Sequence, residues 1–252
     1  MPLDQLHEQE RNESGRGEMS FFDHITELRT HILRAVACIF ATGLVFFIKK
    51  DWAESIIFGP KNENFLTYRV LCSASKQFGL GESMCFKPTN FEVFTRDLGG
   101  PLMQHLFLSF WLGVICSFPL IFWEFWKFIS PGLHDHERKV VRGIVGICTI
   151  LFMLGVAFGY YIIAPFSINF LASYSFGEVK STSTLDSYVT YMTMFTIPTG
   201  LIFEMPVIAY FLARVGVIGA QFMRSYRRHA ILGILIVAAI IIPKFVIARP
   251  VV

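Results

Sequence analysis

Charged residues are scarce in this chain, and their scarcity argues against an ordinary soluble domain. Only 16% of the 252 residues are Asp, Glu, Lys or Arg, whereas soluble domains carry about a quarter. Hydrophobic residues make up 54%, and phenylalanine alone occurs 27 times. This composition predicts a chain that is solvated by lipid, with a length that suits one polytopic bundle.

Catalytic and cofactor motifs are also missing. The sequence has no Gly-x-Ser-x-Gly, no His-Glu-x-x-His and no phosphate-binding glycine loop. The spacing of His24, His134 and His136 is not that of metal ligands. We therefore expect no catalytic residue, no metal and no cofactor. Nucleic-acid binding is not expected either, because the basic residues follow the distribution that sets membrane topology.

The first 18 residues mix acids and bases without any apolar run. They predict a solvated, disordered tail, and they lack the short apolar segment and small-residue cleavage site of a secretory leader. We expect residues 19–252 to form a single transmembrane domain.

Long apolar stretches dominate the rest of the chain. Each predicts a transmembrane helix, since about 20 residues cross the hydrocarbon core; the predicted spans are about 31–48, 103–123, 144–166, 188–212 and 230–248. Pro119 and Pro206 predict kinks rather than helix ends, because membrane neighbours can pair the carbonyls that proline frees. The expected fold is an all-α polytopic membrane protein, a bundle of kinked helices.

Basic residues predict the orientation of this bundle. They are concentrated before the first span and in the loops 124–143 and 213–229, whereas the short loop 167–187 contains Lys180 alone among the bases. By the positive-inside rule the N-terminus and those two basic loops are cytoplasmic. Loops 49–102 and 167–187 are then extracytoplasmic, and five spans place the C-terminus outside.

The first extracytoplasmic loop is long enough to form a small cap. Residues 52–58 predict a short amphipathic helix that ends at Gly59 and Pro60. Cys72 and Cys85 lie in the same loop, on the oxidising side. A bridge between them would close a loop of about 14 residues and stabilise the cap by about 3 kcal/mol. Two free thiols remain the alternative, because spacing does not prove a disulfide.

Two carboxylates are predicted near one cytoplasmic surface. Glu27 belongs to the polar stripe of an amphipathic helix that leads into the first span, together with His31 and Arg34. Glu137 follows the helix-breaking Pro131 and Gly132, in a first helical turn where the helix dipole favours a negative charge.

Paired carboxylates beside an aromatic side chain such as Phe128 suit a ligand with two guanidinium groups followed by an apolar segment. Each guanidinium can take a carboxylate bidentately, which lysine cannot do. The alternative is that Glu27 and Glu137 only balance neighbouring bases such as Arg138.

The fourth span contains a lone acid, Glu204. A charged side chain at this depth costs at least a few kcal/mol, so it usually faces a partner or water. One interpretation is a protonated Glu204 that is hydrogen-bonded inside the bundle. Another is the coupling group of a proton-coupled secondary transporter or channel. Apart from Arg34 and Lys244, which lie near the ends of the first and fifth spans, the spans contain no companion Lys, Arg or Asp. The sequence also has no inverted repeat, and both observations argue against a transporter.

Four sequence blocks occur together in a known order. They are residues 24–29 (HITELR), 117–133 (SFPLIFWEFWKFISPGL), 136–139 (HERK) and 203–207 (FEMPV). With the spans between them, these blocks resemble the TatC family over residues 20 to about 240. The resemblance implies the receptor subunit of the twin-arginine translocase, which exports folded proteins across the bacterial cytoplasmic membrane using the proton-motive force. It implies no enzyme activity.

The resemblance also implies roles for single residues. Glu27 and Glu137 would bind the arginine pair of a twin-arginine signal peptide, on a surface shaped by Arg29, Phe128 and Arg138. Glu204 would contact single-span partner subunits of the TatA and TatB type. The protein would then be a homo- and hetero-oligomer in the lipid of the inner membrane, with its N-terminus in the cytoplasm.

Two features depart from the family pattern. Glu124 stands where glutamine is common, which adds a negative charge near the expected binding surface. The segment 242–252 lacks the usual Thr-Pro-Pro-Asp and is too short for a sixth span. Six spans would put both ends in the cytoplasm, so the family pattern and the five visible spans disagree about the C-terminus.

Overall fold

The computed structural model describes residues 21–77, 85, 92–129, 138–173 and 182–214, and residues 225, 228, 231–233 and 235. Its helices are α1 (Phe21–Ile48), α2 (Lys50–Ile57), α3 (Leu66–Gln77), α4 (Gly100–Ile129), α5 (Arg138–Phe158), α6 (Ala164–Ser173) and α7 (Leu185–Arg214). A 3₁₀ turn covers Gly59–Lys61, a π-helical turn covers Gly159–Ile163, and the two strands are β1 (Val93–Phe94) and β2 (Ser183–Thr184).

Four helical stretches are long and apolar enough to cross a membrane. They are Leu28–Ile48, Gly100–Phe128, Val145–Ser173 and Leu185–Phe211. These ranges overlap the first four spans predicted from the sequence, and α4 extends further at both ends than predicted. Of the predicted fifth span, residues 231–233 and 235 are helical. The remainder of that span, the tail 1–18 and the segment 242–252 lie outside the described residues.

Two close helix pairs form the bundle. α1 packs mainly on α4, and α5 packs mainly on α7. Glycines allow both approaches: a Cβ added at Gly113 would lie 2.8 Å from the Gly43 nitrogen, and one added at Gly155 would lie 2.9 Å from the Gly200 Cα. Small residues commonly bring membrane helices this close, since packing replaces the hydrophobic effect between them.

The outer face of α1 shows why the fold needs lipid. Its large apolar side chains point away from α4, and Phe40 is 72% exposed. A soluble protein rarely leaves such a continuous apolar face uncovered. The prediction of an all-α polytopic membrane protein is confirmed. Both α4 and α7 continue through their internal prolines, Pro119 and Pro206.

The cap consists of residues 50–77, that is α2, the 3₁₀ turn and α3. Tyrosine hydroxyls dock it on the bundle: Tyr160 donates to the Ile56 carbonyl at 2.5 Å, and Tyr188 donates to the Ile57 carbonyl at 2.9 Å. Tyr68 closes the cap internally through the Pro60 carbonyl at 3.0 Å, and burial raises the pKa of its hydroxyl, which keeps it a donor. The cap is therefore held as an ordered unit.

A disulfide and a short strand pairing complete this end of the molecule. Cys72 and Cys85 are joined in a disulfide with their Cα atoms 4.4 Å apart. The strands β1 and β2 pair in parallel, which ties the loop after α3 to the loop before α7. The predicted all-helical bundle did not include this pairing, because two residues per strand leave too short a pattern to detect.

Candidate functional site

The end of the bundle where α1 begins and α4 ends carries a polar cluster. The His31 Nδ1 atom lies 2.5 Å from the Glu124 Oε2 atom, and the Arg34 Nη1 atom lies 3.9 Å from the same oxygen. The side chains of His31 and Glu124 are only 12% and 17% exposed. We call His31, Arg34, Glu124 and Phe128 the His31 cluster.

Helical spacing explains why this cluster forms. His31 and Arg34 are three residues apart on α1, and Glu124 and Phe128 are four residues apart on α4, so each pair lies on one helical face. The Phe128 ring meets the His31 ring edge to face, with centroids 6.5 Å apart. Close packing of α1 on α4 thus brings both faces together at a half-buried surface.

The other residues predicted for the site lie around this cluster. Glu27 is one helical turn before His31 on α1, and Arg29 is exposed on the same helix. Arg138 is the first residue of α5, so its backbone lies at the same end of the chain fold as the end of α4. Glu137 lies outside the described residues. The helices therefore bring Arg29 and Phe128 to one end of the bundle, with the backbones of Glu27 and Arg138.

Pairing between His31 and Glu124 was not predicted. The sequence placed His31 on the polar stripe of α1 and singled out Glu124 only as a departure from the family pattern. These residues are 93 positions apart, and only the packing of α1 on α4 brings them together. The sequence did contain one indication of this pair: an acid and a histidine occur at matching depth, at the ends of two predicted spans that are adjacent in the chain.

Glu204 is buried in the interior of the bundle, with 4% exposure. The Cys148 thiol and the Phe152 backbone approach it from α5. Neither carboxylate oxygen is in hydrogen-bonding geometry with a partner within the described part of the chain. The structure agrees with a buried acid inside the bundle, and the Cys148 thiol lies where that interpretation expects an internal hydrogen-bond partner, although the contact falls outside standard hydrogen-bond geometry.

These features define a class of protein: a polytopic helical membrane protein with a half-buried ionic cluster at one end and an ordered cap at the other. Among the described residues, no group of three His, Cys, Asp or Glu could hold a metal ion. The family model for "Sec-independent protein translocase protein (TatC)" matches residues 23–251. The chain belongs to the TatC family.

Relatives support this assignment over nearly the whole chain. The TatC protein of Blattabacterium sp. subsp. Periplaneta americana is 38% identical over 231 residues, covering 90% of this chain and 87% of that protein. The TatC protein of Campylobacter jejuni is 31% identical over 227 residues, covering 90% and 84%.

Two crystal structures of the twin arginine translocase receptor TatC share the fold. One, determined in the detergent DDM, superposes with a TM-score of 0.66 at 24% identity and covers 86% of this chain and 87% of that chain. The other has a TM-score of 0.62 at 25% identity, with 90% and 88% covered. The chain is a membrane component of the twin-arginine, Sec-independent protein translocase. The comparisons do not support the alternative of a proton-coupled transporter or channel.

Proposed function

We propose that this protein is the receptor and core subunit of its translocase. It binds twin-arginine signal peptides at the end of the bundle that carries the His31 cluster. Together with single-span TatA- and TatB-type subunits, it exports folded proteins at the expense of the proton-motive force. The observation that carries this proposal is the meeting of the start of α1 and the end of α4 at that cluster, at the end of the bundle from which the chain continues to the start of α5.

The chemistry of the cluster explains which acids are available to a peptide. Glu124 is already paired with His31, and its Oε2 atom lies 3.9 Å from Arg34 Nη1, so this acid has partners within the protein. Glu27 and Glu137 are then the carboxylates that receive the two guanidinium groups, each through a bidentate pair of charge-assisted hydrogen bonds. Lysine offers no planar fork and binds more weakly at such a site.

The surrounding residues shape the same surface. The Phe128 ring is half-buried and offers an apolar wall for the side chains that follow the arginine pair. Arg29 and Arg138 keep the local charge balanced, so the site favours a dication without being strongly acidic when empty. This arrangement selects a short basic motif followed by an apolar segment.

Glu204 is the contact that we propose for the single-span subunits. Within the described residues Glu204 makes no hydrogen bond of standard geometry, and a buried acid of this kind is stabilised when a polar side chain of another helix reaches it. Glu204 belongs to α7, and its buried carboxylate faces α5. A partner therefore reaches the carboxylate only when those two helices separate locally. Engagement of the partner therefore follows a movement of α7.

The orientation follows from the distribution of basic residues. We propose that the N-terminus and the His31 cluster face the cytoplasm, that the cap faces the opposite side, and that the membrane is the bacterial inner membrane. A disulfide in the cap is consistent with an oxidising compartment on that side.

A binding experiment tests the receptor function. The lipid-embedded protein is incubated with a photo-crosslinkable peptide carrying Arg-Arg or Lys-Lys. We expect Glu27→Gln and Glu137→Gln each to reduce crosslinking of the Arg-Arg peptide about tenfold or more, the equivalent of losing one charge-assisted interaction of about 1.4 kcal/mol. The matched control is Glu63→Gln, an exposed acid in the cap. Equal labelling by both peptides, or unchanged labelling of both variants, would refute the receptor function.

A further inference from the structure

A pocket of about 210 Å³ lies at the cap end of the bundle, between α2, α4 and α7. Lys50 and Glu54 line it from α2, and Gln104 and His105 line it from α4. The rest of the wall is largely apolar and includes buried side chains of the core: Ala53, Ile57, Leu108 and Val189. The pocket therefore combines a charged side with an apolar floor.

Lys50 and Glu54 present opposite charges side by side. They are four residues apart on α2, a spacing at which lysine and glutamate are neighbours on one helical face. Both are exposed, and neither forms an ion pair with the other or with another residue that the structure describes. A ligand carrying both a cation and an anion matches this unpaired couple.

Two polar atoms of the residues that line the pocket lack partners within the described part of the chain. Gln104 donates from its amide nitrogen to the Asp186 Oδ1 atom at 2.6 Å, and the His105 ring stacks on Phe47 with centroids 4.8 Å apart. The remaining atoms, Gln104 Oε1 and His105 Nε2, are buried and have no hydrogen-bond partner within the described residues. Buried polar atoms are normally paired, so these two favour a guest with polar groups over a bare hydrocarbon chain.

The pocket also lies at the level where the transmembrane stretches begin and end. The stretch of α1 ends at Ile48, that of α4 begins at Gly100, and that of α7 begins at Leu185. On α2, Trp52 is exposed, and aromatic residues of this kind mark the boundary between membrane and water. The headgroup of a lipid in the leaflet on the cap side would lie at this depth.

We propose that this pocket binds an aminophospholipid with a protonated primary amine, such as phosphatidylethanolamine. Lys50 binds the phosphate, and Glu54 accepts hydrogen bonds from the ammonium group. Glycerol ester oxygens face His105, and one acyl chain lies along the apolar floor. Phosphatidylglycerol should bind more weakly, because it carries a negative charge and has no ammonium group to donate to Glu54. Phosphatidylcholine has no N–H donor.

Native mass spectrometry of the intact protein tests this proposal. The detergent-solubilised protein is titrated separately with phosphatidylethanolamine, phosphatidylglycerol and phosphatidylcholine of identical acyl chains. We expect phosphatidylethanolamine to be retained most strongly. Lys50→Ala and Glu54→Gln should each reduce its apparent affinity about tenfold, the equivalent of about 1.4 kcal/mol. Both side chains are exposed, so neither change should disturb folding.

Matched controls are Lys76→Ala and Glu63→Gln, which remove exposed charges of the cap that do not line the pocket. They should leave lipid retention unchanged. Equal retention of the three lipids would overturn the proposal. So would a loss in Lys50→Ala alone together with preferred retention of phosphatidylglycerol, because that result identifies an anionic-lipid site. An equal loss in the control variants would point to a diffuse effect of cap charge and would also overturn it.

Discussion

The contact between α1 and α4 can be tested at Gly113. A Cβ added there would lie 2.8 Å from the Gly43 nitrogen, and 2.9 Å from both the Gly43 Cα and the Ile39 carbonyl oxygen. All three are backbone atoms, so a rotamer change cannot relieve the clash and the helices must separate. Overpacking of this kind costs about 1–3 kcal/mol, and the gain from replacing glycine by alanine within a helix offsets only about 0.5–1 kcal/mol of that. We expect Gly113→Ala to destabilise the protein by about 1–2 kcal/mol.

The matched control is Gly146→Ala on α5, where an added Cβ meets no atom within 4 Å. This variant should be as stable as the original protein or slightly more stable. The measurement is reversible unfolding in mixed micelles, combined with the affinity for an Arg-Arg peptide. Because the His31 cluster is built on the same contact, Gly113→Ala should also weaken peptide binding. Equal stability of the two variants would refute the close packing from which the site geometry is derived.

Three further changes separate the roles of single residues. Glu124→Gln should keep peptide binding, because an amide can still hydrogen-bond to His31, whereas Glu124→Ala should reduce it; equal losses in a peptide-binding assay would contradict this difference. Glu204→Ala should lower co-purification of single-span subunits while peptide binding persists, and the reverse pattern would exclude the proposed division of roles. Cys85→Ser should abolish the Cys72-linked peptide in a non-reducing mass map and accelerate proteolysis of the cap, by removing about 3 kcal/mol of loop constraint; unchanged proteolysis would show that the disulfide does not constrain the cap.

Features with a strong local signal were predictable from the sequence. Hydropathy alone placed four spans close to the observed helices, since lipid solvation requires about 20 apolar residues. The amphipathic pattern predicted the helix Lys50–Ile57, and the helix ends just before Gly59 and Pro60, the residues expected to stop it. Cys72 and Cys85 form the disulfide that their position in the loop 49–102 suggested.

Features that depend on packing between distant segments were not predictable. No local pattern marks the pairing of Val93 with Ser183, or the π-helical turn Gly159–Ile163. The contact between His31 and Glu124 requires the register of α1 on α4, which is fixed by the approach of two glycines rather than by hydropathy. The direction in which Glu204 points depends on the same kind of information from α5 and α7.

The two helix pairs divide the proposed functions between them. The α1–α4 pair carries the His31 cluster at one end and the side chains of Gln104 and His105 at the other. The α5–α7 pair encloses Glu204. Direct contact between the pairs includes the stacked rings of Phe118 and Phe152, and an apolar cavity of about 430 Å³ also lies between them, toward the cap. The contact between the pairs is less extensive than the glycine-mediated contacts within each pair, so it resists sliding less. We infer that peptide binding on one pair reaches Glu204 on the other by a shift between the pairs, which in turn allows the local separation of α5 and α7 that exposes the carboxylate.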